Sequence, residues 1–203
     1  MKSYGVNVAD SVMLIRGMAY DVNEIINEVG LPCFVKPNAE GSSFGVTKVK
    51  EAAQLEDALK KAFALCREVL IETFIDGTEL TCGVVKAGDM DITMPIAEVV
   101  PKNEFFDFEA KYDPTKSDEI IPARISPELT NRIKILSSMI YDILRCEGII
   151  RVDYIVREDE IFMLEVNTTP GMTSNSFVPK MVRAMGGTLR EVLTKIIDNK
   201  LNR

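Results

Sequence analysis

The chain has 203 residues, of which 46% are hydrophobic and 27% are charged, with a formal net charge of −7 and no histidine. This composition is typical of a folded globular protein and argues against intrinsic disorder. Lysine and arginine form no block, which excludes the basic patch expected of a nucleic-acid or membrane-surface protein. Without histidine, chemistry that needs an imidazole base, nucleophile or metal ligand is also excluded.

The cysteines and the chain start bear on the cellular compartment. Cys33, Cys66, Cys82 and Cys146 are isolated, and no Cys-x-x-Cys pair is present. This spacing predicts reduced thiols rather than a zinc site. No apolar run reaches the roughly 18 residues that a membrane span requires, and the first residues lack the pattern of a signal peptide. We therefore expect a cytoplasmic protein with neither a membrane nor a nucleic-acid partner.

Residues 1–76 predict a small lobe. Gly30 and Pro37 are the expected ends of its first helix and first strand. A loop of small residues, 40–45, separates the first two strands. In chain order, the predicted elements are a helix over 21–29, strands over 31–36 and 46–49, a helix over 51–66 and a strand over 69–74.

Residues 77–203 predict a larger lobe with a mostly antiparallel sheet, and the fold class is α+β. A polar and aromatic stretch, 103–122, is predicted as a long loop, and loops of that length are usually functional or disordered. Ser126 before Pro127 begins one helix, and a capping box at Thr188 begins the last. The predicted strands cover 79–86, 92–100, 149–156 and 161–167.

The hairpin at 149–167 carries the most informative polar residues. Alternation along a strand puts Arg151 and Asp153 on one face and likewise groups Glu165 with Asn167. The opposite faces are then expected to carry the apolar residues Val152, Tyr154 and Val156 on one strand and Phe162, Leu164 and Val166 on the other.

The expected register brings two carboxylates together. If residues 158–160 form the loop, Arg157 pairs with Ile161 and Asp153 lies opposite Glu165, with Cβ atoms about 5 Å apart. Such carboxylates repel each other unless a cation lies between them, and oxygen ligands suit Mg²⁺.

Other groups near this pair favour the metal hypothesis without excluding a simpler one. Asn167 adds a neutral oxygen, and Arg151 adds a positive charge for developing oxyanions. The turn-rich segment 167–176 supplies backbone N–H groups suited to an anionic ligand. By spacing alone, an ion pair between Arg151 and either carboxylate on a solvated sheet face is equally compatible.

A phosphate-binding loop is the second candidate feature. Lys36 at a strand end precedes Ser42 and Ser43, and small residues allow backbone N–H groups to approach phosphate. Glu72 and Glu79 are candidates for contacts with adenine and ribose. Taken alone, however, the loop is compatible with an ordinary hairpin loop and the two carboxylates with solvent exposure.

Taken in order, these segments resemble the D-alanine–D-alanine ligases of the ATP-grasp superfamily. The resemblance runs from about residue 21 to the end of the chain, and the Glu-Ala-Lys-Tyr and Pro-Gly-Met-Thr-Ser pieces are its most specific parts. The matching motifs are Val35-Lys-Pro-x-x-Glu-Gly-Ser-Ser-x-Gly45, Ile71-Glu72, Asp76-Gly-x-Glu79, Phe106-Asp-Phe-Glu-Ala-Lys-Tyr112, Arg151-x-Asp153 and Leu164-Glu-Val-Asn-Thr-x-Pro-Gly-Met-Thr-Ser174.

The resemblance implies two α/β lobes with ATP bound between them. It assigns Lys36 and Ser42 to the ATP phosphates, with the loop around Ser43 closing over them. Lys111 would contact the γ-phosphoryl group, and Tyr112 would close the substrate site from the long loop, reaching toward Ser42.

The resemblance also implies roles for the base, the metals and the acceptor. Glu72 and Glu79 would hold adenine and ribose, with Ile75 in the adenine pocket. Arg151 and the Gly171 N–H would stabilise a tetrahedral intermediate. Two Mg²⁺ ions, with Mn²⁺ as a substitute, and the second D-alanine would be held by two further sets: Asp153, Glu165 and Asn167 for the metals, and Ser176 and Phe177 for the D-alanine.

The implied reaction joins two D-alanines through an acylphosphate, for peptidoglycan precursors. Positioning and charge neutralisation dominate such chemistry, so a site without histidine suffices. Members of the family also have an N-terminal domain that contributes to the substrate site, and the sequence contains no match to it. We therefore expect little activity from this chain alone, and the homodimer common in the family is left open.

Three other interpretations are compatible with the sequence. One is another ATP-grasp carboxylate–amine ligase, including a D-alanine–D-lactate type, although Tyr112 favours an amine acceptor. Another is a nucleotide-binding module without catalysis. The third is a structural α+β domain, which failure to bind adenine nucleotides would favour.

Overall fold

The computed structural model describes residues 1–40, 43–101 and 117–202. The chain divides into two compact units. The larger contains Met1–Asn7, Gly77–Val100 and Asp118–Arg203, and the smaller contains Val8–Asp76. In the described part of the chain, no helix is long and apolar enough to cross a membrane.

The placement of the first seven residues corrects the predicted small lobe over 1–76. Val6 is 1% exposed and packs in the core of the larger unit. The backbone N–H of Met163 donates to the carbonyl of Asn7 over 2.9 Å. Burial of an apolar side chain, together with this hydrogen bond, therefore holds Met1–Asn7 in the larger unit.

The smaller unit is built on a four-stranded sheet with the order β1-β4-β2-β3, whose registered pairs are all antiparallel. Two helices accompany the sheet. Asp21 caps the first by accepting hydrogen bonds from two backbone N–H groups, as Ncap aspartates do. The elements are β1 (Ser11–Ile15), α1 (Val22–Val29), β2 (Cys33–Pro37), β3 (Thr47–Val49), α2 (Leu55–Leu65) and β4 (Glu68–Thr73).

The small sheet is covered on one face only by its own helices. Cys33 and Val35 of β2 are fully buried and pack in one cluster with residues of α1 and α2. Phe34 and Lys36, which alternate with them, are half-buried and lie on the other face. Among the described residues of this unit, no helix packs on the face that carries Phe34 and Lys36, which is called the open face below.

The larger unit contains a six-stranded sheet with the order β10-β9-β5-β7-β8, in which β6 pairs separately with β5. Its helices are α3, α4 and α5. The elements are β5 (Thr78–Ala87), β6 (Met90–Thr93), β7 (Ala97–Pro101), β8 (Ser117–Ile120), α3 (Pro127–Ile143), β9 (Gly148–Arg157), β10 (Glu160–Asn167), α4 (Phe177–Ala184) and α5 (Leu189–Leu201).

Several elements differ from the sequence predictions. The strand expected over 92–100 is two strands, because Pro95 has no N–H to donate to a ladder. The predicted loop 103–122 contains β8, which gains partners only by joining β7; residues 102–116 lie outside the described part. β1 and α4 were not predicted, whereas the caps at Ser126 and Thr188 are confirmed.

An ion pair joins β7 to the segment before α3, and its contribution to stability depends on pH. The side chain and backbone N–H of Arg124 donate to the Glu98 carboxylate over 2.7–3.0 Å, and Glu98 is 7% exposed. These hydrogen bonds lower the pKa of Glu98. Because the folded-state pKa is lowered, the stabilisation is complete above the ordinary carboxyl pKa and is lost as pH falls through the lowered value.

We therefore expect Glu98→Gln to lower stability by about 1 kcal/mol at pH 7. The gap to wild type should shrink as the pH is lowered below the ordinary carboxyl pKa, because the wild-type carboxylate then loses its charge. Thermal unfolding from pH 7 to pH 3 measures this, with Glu160→Gln, an exposed side chain of β10, as the control. A gap that stays constant over this range would show that the charge of Glu98 contributes nothing.

Candidate active site

The β9–β10 hairpin brings the predicted carboxylates together by an unexpected route. Its turn is two residues long, and Glu158 and Asp159 adopt positive φ angles of 51° and 68°, as type I′ hairpin turns require. Arg157 therefore pairs with Glu160, and the predicted pairing with Ile161 is wrong. An irregularity between Met163 and Glu165 then shifts the register by one residue.

That irregularity restores the predicted facing pair. Beyond it, Asp153 lies opposite Glu165, and Asn167 lies opposite Arg151. It also changes which residues of β10 point to the core. Ile161, Met163 and Val166 pack against the core cluster of β9. The expected grouping of Phe162 and Leu164 with Val166 is wrong, because the extra residue interrupts the period of two.

Asp153 is the centre of a half-buried polar network. Its Oδ1 accepts hydrogen bonds from the Thr81 hydroxyl at 2.6 Å and from Arg151 Nη1 at 2.7 Å. Its Oδ2 accepts from Asn167 Nδ2 at 3.0 Å. The Arg151 and Asp153 side chains are only 15% and 10% exposed. The expected ion pair is therefore present, but it is not on a freely solvated face.

The donor set fits a divalent cation. Asn167 Nδ2 lies 3.0 Å from Asp153 Oδ2 and 3.4 Å from Glu165 Oε1. An amide N–H thus occupies the electronegative space between two carboxylates. Rotating the amide would turn its oxygen into this space, completing an oxygen set that suits Mg²⁺. The described residues contain no group of three or more acidic, Cys or His residues that could hold a metal. The candidate set has only two carboxylates, and its third ligand would be the Asn167 amide.

Thr81 is a site residue that the sequence reasoning missed. It lies on β5 at the position registered against Asp153, and it is 1% exposed. Its hydroxyl also accepts from Arg151 Nη1 at 3.3 Å. Only the pairing of β5 with β9 brings it to the site, and no local pattern in the sequence indicates that pairing.

The segment after β10 folds back on itself beside Arg151. The Ser176 and Thr173 hydroxyls lie 2.9 Å apart, and the Ser176 N–H donates to the Thr173 carbonyl. A Cβ atom on Gly171 would lie 2.8 Å from the Ser176 hydroxyl, so glycine permits this close approach. Phe177, the first residue of α4, has its ring centre 5.2 Å from the Arg151 guanidinium carbon.

The smaller unit holds the other predicted nucleotide residues. Lys36 and Glu72 form a salt bridge on the open face of the sheet. Ser43 adopts a left-handed φ of 61° in the small-residue loop, which is uncommon for residues other than glycine. Ile75 is buried at 5% exposure. Glu79 lies on β5 of the larger unit, half-buried opposite Val99.

Three predicted site residues cannot be placed. Ser42, Lys111 and Tyr112 lie outside the described residues. The proposed roles of Lys111 and Tyr112 therefore rest on the sequence resemblance, and that of Ser42 rests on the resemblance and on the small-residue loop.

Three thiols are unsuited to nucleophilic chemistry. Burial raises the pKa of Cys33 and Cys146, and it raises the pKa of Cys82 to about 11. A thiol with a raised pKa stays protonated at neutral pH and reacts slowly. This agrees with the prediction of isolated reduced cysteines.

Comparisons with known proteins give a consistent result. The family model described as D-ala D-ala ligase C-terminus matches residues 1–198. A D-alanine–D-alanine ligase of Bacteroides fragilis is 54% identical over 201 residues, which cover 98% of this chain and 62% of that protein. One from Phocaeicola vulgatus is 52% identical with the same coverage. The chain thus spans about 62% of the length of these curated relatives.

Solved structures agree on the fold. A D-alanine–D-alanine ligase from Bacillus anthracis has a TM-score of 0.85 and 33% identity, covering 99% of this chain and 64% of that chain. The same enzyme complexed with ATP gives a TM-score of 0.81 at 32% identity, covering 99% and 63%. The VanG D-Ala:D-Ser ligase from Enterococcus faecalis gives 0.81 at 35% identity, covering 97% and 58%. The chain therefore has the ATP-grasp fold and belongs to the D-alanine–D-alanine ligase C-terminal family.

Proposed function

We propose that this chain is the nucleotide-binding and catalytic part of a ligase that uses ATP to join two D-alanine molecules. The observation that carries the proposal is the facing pair Asp153 and Glu165, bridged by Asn167 and flanked by Arg151. The names of the relatives support the substrates. The B. anthracis ligase complexed with ATP supports the nucleotide.

The proposed nucleotide contacts are assigned residue by residue. In the smaller unit, Lys36 and the loop at Ser42 and Ser43 hold the phosphates, while Glu72 and Ile75 hold the adenine. Glu79 of β5 accepts from the ribose hydroxyls, and Lys111 contacts the γ-phosphoryl group. The Lys36–Glu72 salt bridge must loosen when ATP binds, because the lysine then turns to phosphate and the carboxylate to the base.

The proposed reaction has two steps. A carboxylate oxygen of the first D-alanine attacks the γ-phosphorus, the bond to ADP breaks, and an acylphosphate forms. The amine of the second D-alanine then attacks the acyl carbon, and phosphate leaves. Arg151 and the Gly171 N–H stabilise the oxyanion of the tetrahedral species, Ser176 and Phe177 hold the acceptor, and Tyr112 shields the site from water.

Asp153, Glu165 and Asn167 are the residues that would hold two magnesium ions, for which Mn²⁺ could substitute. Bound there, the metal would neutralise charge on the β- and γ-phosphates. Arg151 keeps the Asp153 carboxylate oriented by a half-buried ion pair. Together these side chains would orient the phosphates.

Titration with a non-hydrolysable ATP analogue tests this proposal. Wild type should bind the analogue, and Mg²⁺ should raise its affinity at least tenfold, an order-of-magnitude expectation for metal shared with phosphates. Binding without any effect of Mg²⁺ would contradict the metal assignment. Failure to bind an adenine nucleotide would contradict the whole proposal. Because little activity is expected from this chain alone, phosphate release is measured with the full-length enzyme, where binding without release in D-alanine and ATP would favour a non-catalytic module.

The acceptor is the point at which relatives differ. The VanG relative is a D-Ala:D-Ser ligase at 35% identity, so an alternative acceptor, including D-lactate, is the second candidate. Phosphate release by the full-length enzyme with D-alanine plus D-serine or D-lactate, in place of D-alanine alone, separates the two.

The cellular setting follows from this proposed reaction. Because it consumes ATP, we place it in the cytoplasm, where the dipeptide would supply peptidoglycan precursor synthesis. Dimerisation of the full-length enzyme is likewise proposed from the family.

Thr81 provides a prediction for the proposed metal site. Thr81→Val removes the hydroxyl that donates to Asp153 at 2.6 Å while keeping the volume of the side chain. The Asp153 carboxylate then loses one hydrogen bond that orients it. We expect the Mg²⁺-dependent affinity for the ATP analogue to fall about tenfold, as is typical when a residue that hydrogen-bonds a metal ligand is replaced. Thr81→Ser keeps the hydroxyl and should retain the affinity; equal loss in both variants would point to packing instead.

A further inference from the structure

The open face of the small sheet carries Lys48, Phe34 and Phe74, to which the proposed function assigns no role, beside Glu72, which it does use. Lys48 of β3 lies opposite Phe34 of β2, and Phe34 lies opposite Glu72 of β4. These three side chains point away from the helix-covered core and are half-buried. Phe74 follows β4 directly and belongs to the same face by strand alternation.

A stack of one cation and two rings runs across this face. Lys48 Nζ lies 3.6 Å from the centre of the Phe74 ring. The Phe74 and Phe34 rings meet edge to face, with centres 5.7 Å apart and planes at 70°. Cation–π and edge-to-face contacts both restrict how a ring can turn. Phe74 is therefore held from two sides.

The two lysines of this face have different partners. Lys36 forms a salt bridge with Glu72 and lies 5.6 Å from the centre of the Phe34 ring. The Lys48 ammonium group lies over the Phe74 ring. The charge of Lys48 thus acts on the ring rather than on a carboxylate.

Phe74 also has a fixed backbone. Its N–H donates to the Pro32 carbonyl over 3.1 Å. It stands between Glu72 and Ile75, which the proposed function assigns to the adenine. Fixing both the ring and the backbone of Phe74 fixes the path of the chain through the base-reading segment.

We propose that Lys48 and Phe74 form a positioning pair that orients residues 72–75 for recognition of the adenine base. This inference rests on the proposed function, because it concerns the same nucleotide. Lys48 acts through Phe74 and does not contact the reacting atoms. A direct contact of Lys48 with the phosphates is the competing role, and the two roles differ in what they do to base selectivity.

The test compares adenine and guanine triphosphate analogues, AMP-PNP and GMP-PNP, in the full chain with Mg²⁺. We expect Lys48→Met to weaken AMP-PNP binding about three- to tenfold and to leave GMP-PNP binding little changed. The ratio of AMP-PNP affinity to GMP-PNP affinity should therefore fall by the same factor. Lys48→Arg, which keeps a cation for the ring, should retain the preference. Lys60→Met, an exposed lysine of α2, serves as the matched control and should bind as wild type.

A double-mutant cycle confirms that the two residues act together. In a Phe74→Leu background, Lys48→Met should cause no further loss of AMP-PNP affinity. Thermal unfolding checks that the variants fold, and Lys48→Gln replaces the Met variant if that one does not.

Three outcomes overturn the inference. Unchanged AMP-PNP binding by Lys48→Met removes any role of Lys48 in binding. Equal weakening of both analogues indicates the phosphate role. If the wild type does not bind AMP-PNP, the proposed function is refuted and the inference fails with it. This outcome is seen with the wild type alone, before any variant is measured.

Discussion

Replacing Glu165 by Gln should abolish most of the gain in nucleotide affinity that Mg²⁺ provides. The substitution keeps size and hydrogen bonding but removes one of the two charges that face each other across the β9–β10 pair. Mg²⁺ is a small, hard cation that prefers oxygen ligands and is commonly held by one or two carboxylates. We expect the Mg²⁺-dependent affinity for an ATP analogue to fall on the order of 100-fold, which is more than for Thr81→Val, because Glu165 would bind the ion itself.

The control for this variant lies on the same strand. Glu160→Gln also removes one negative charge from β10, but at the turn end of the hairpin, opposite Arg157. It should leave the Mg²⁺ effect unchanged, which separates coordination from a general change in net charge. If Glu165→Gln and wild type respond to Mg²⁺ alike, the metal assignment is wrong, whatever the fold family.

Gly77→Ala should strongly destabilise the larger unit. A Cβ atom at this position would lie 2.4 Å from the carbonyl oxygen of Val156 and 2.7 Å from the Ile155 side chain. The backbone of β9 cannot yield without disturbing its pairing with β5, which begins at Thr78 opposite Val156. We expect a loss of about 2–3 kcal/mol and a melting temperature lower by about 5–10 °C.

Gly187→Ala is the matched control, because its Cβ atom would lie 3.6 Å from the nearest atoms of Val182, an ordinary contact. It should change stability by less than about 0.5 kcal/mol. Thermal unfolding of both variants makes the comparison. Similar stabilities would mean that β5 and β9 can separate at this point without cost.

The consequence of Gly77→Ala reaches the site. Thr81 lies opposite Asp153 in the same β5–β9 pair. A shift of β5 that relieves the clash would move the Thr81 hydroxyl away from Asp153. We therefore expect the variant, where folded, to bind the ATP analogue with a smaller Mg²⁺ effect than wild type.

Local patterns predicted the helix caps and the facing carboxylates well. Ser126 and Thr188 stand directly before the helices that they cap, so a few residues contain all the information. Asp21 was predicted as the first residue of its helix and is its cap instead. The hairpin was predictable in the same way, since its strands are adjacent in sequence. Its turn was not: two consecutive residues with positive φ shorten the loop by one, and the irregularity before Glu165 cancels the error.

The sequence by itself determined the chemistry of this chain: which side chains carry charge, which alternate along a strand, and that Asp153 and Glu165 meet across a short hairpin. The tertiary structure alone decided that β5 lies beside β9 and brings Thr81 to Asp153. It also decided that Lys48 rests on Phe74, and that β1 pairs with β4. The physical reason is that strand periodicity specifies the two faces of a strand, whereas the choice of neighbour depends on burial summed over the whole unit.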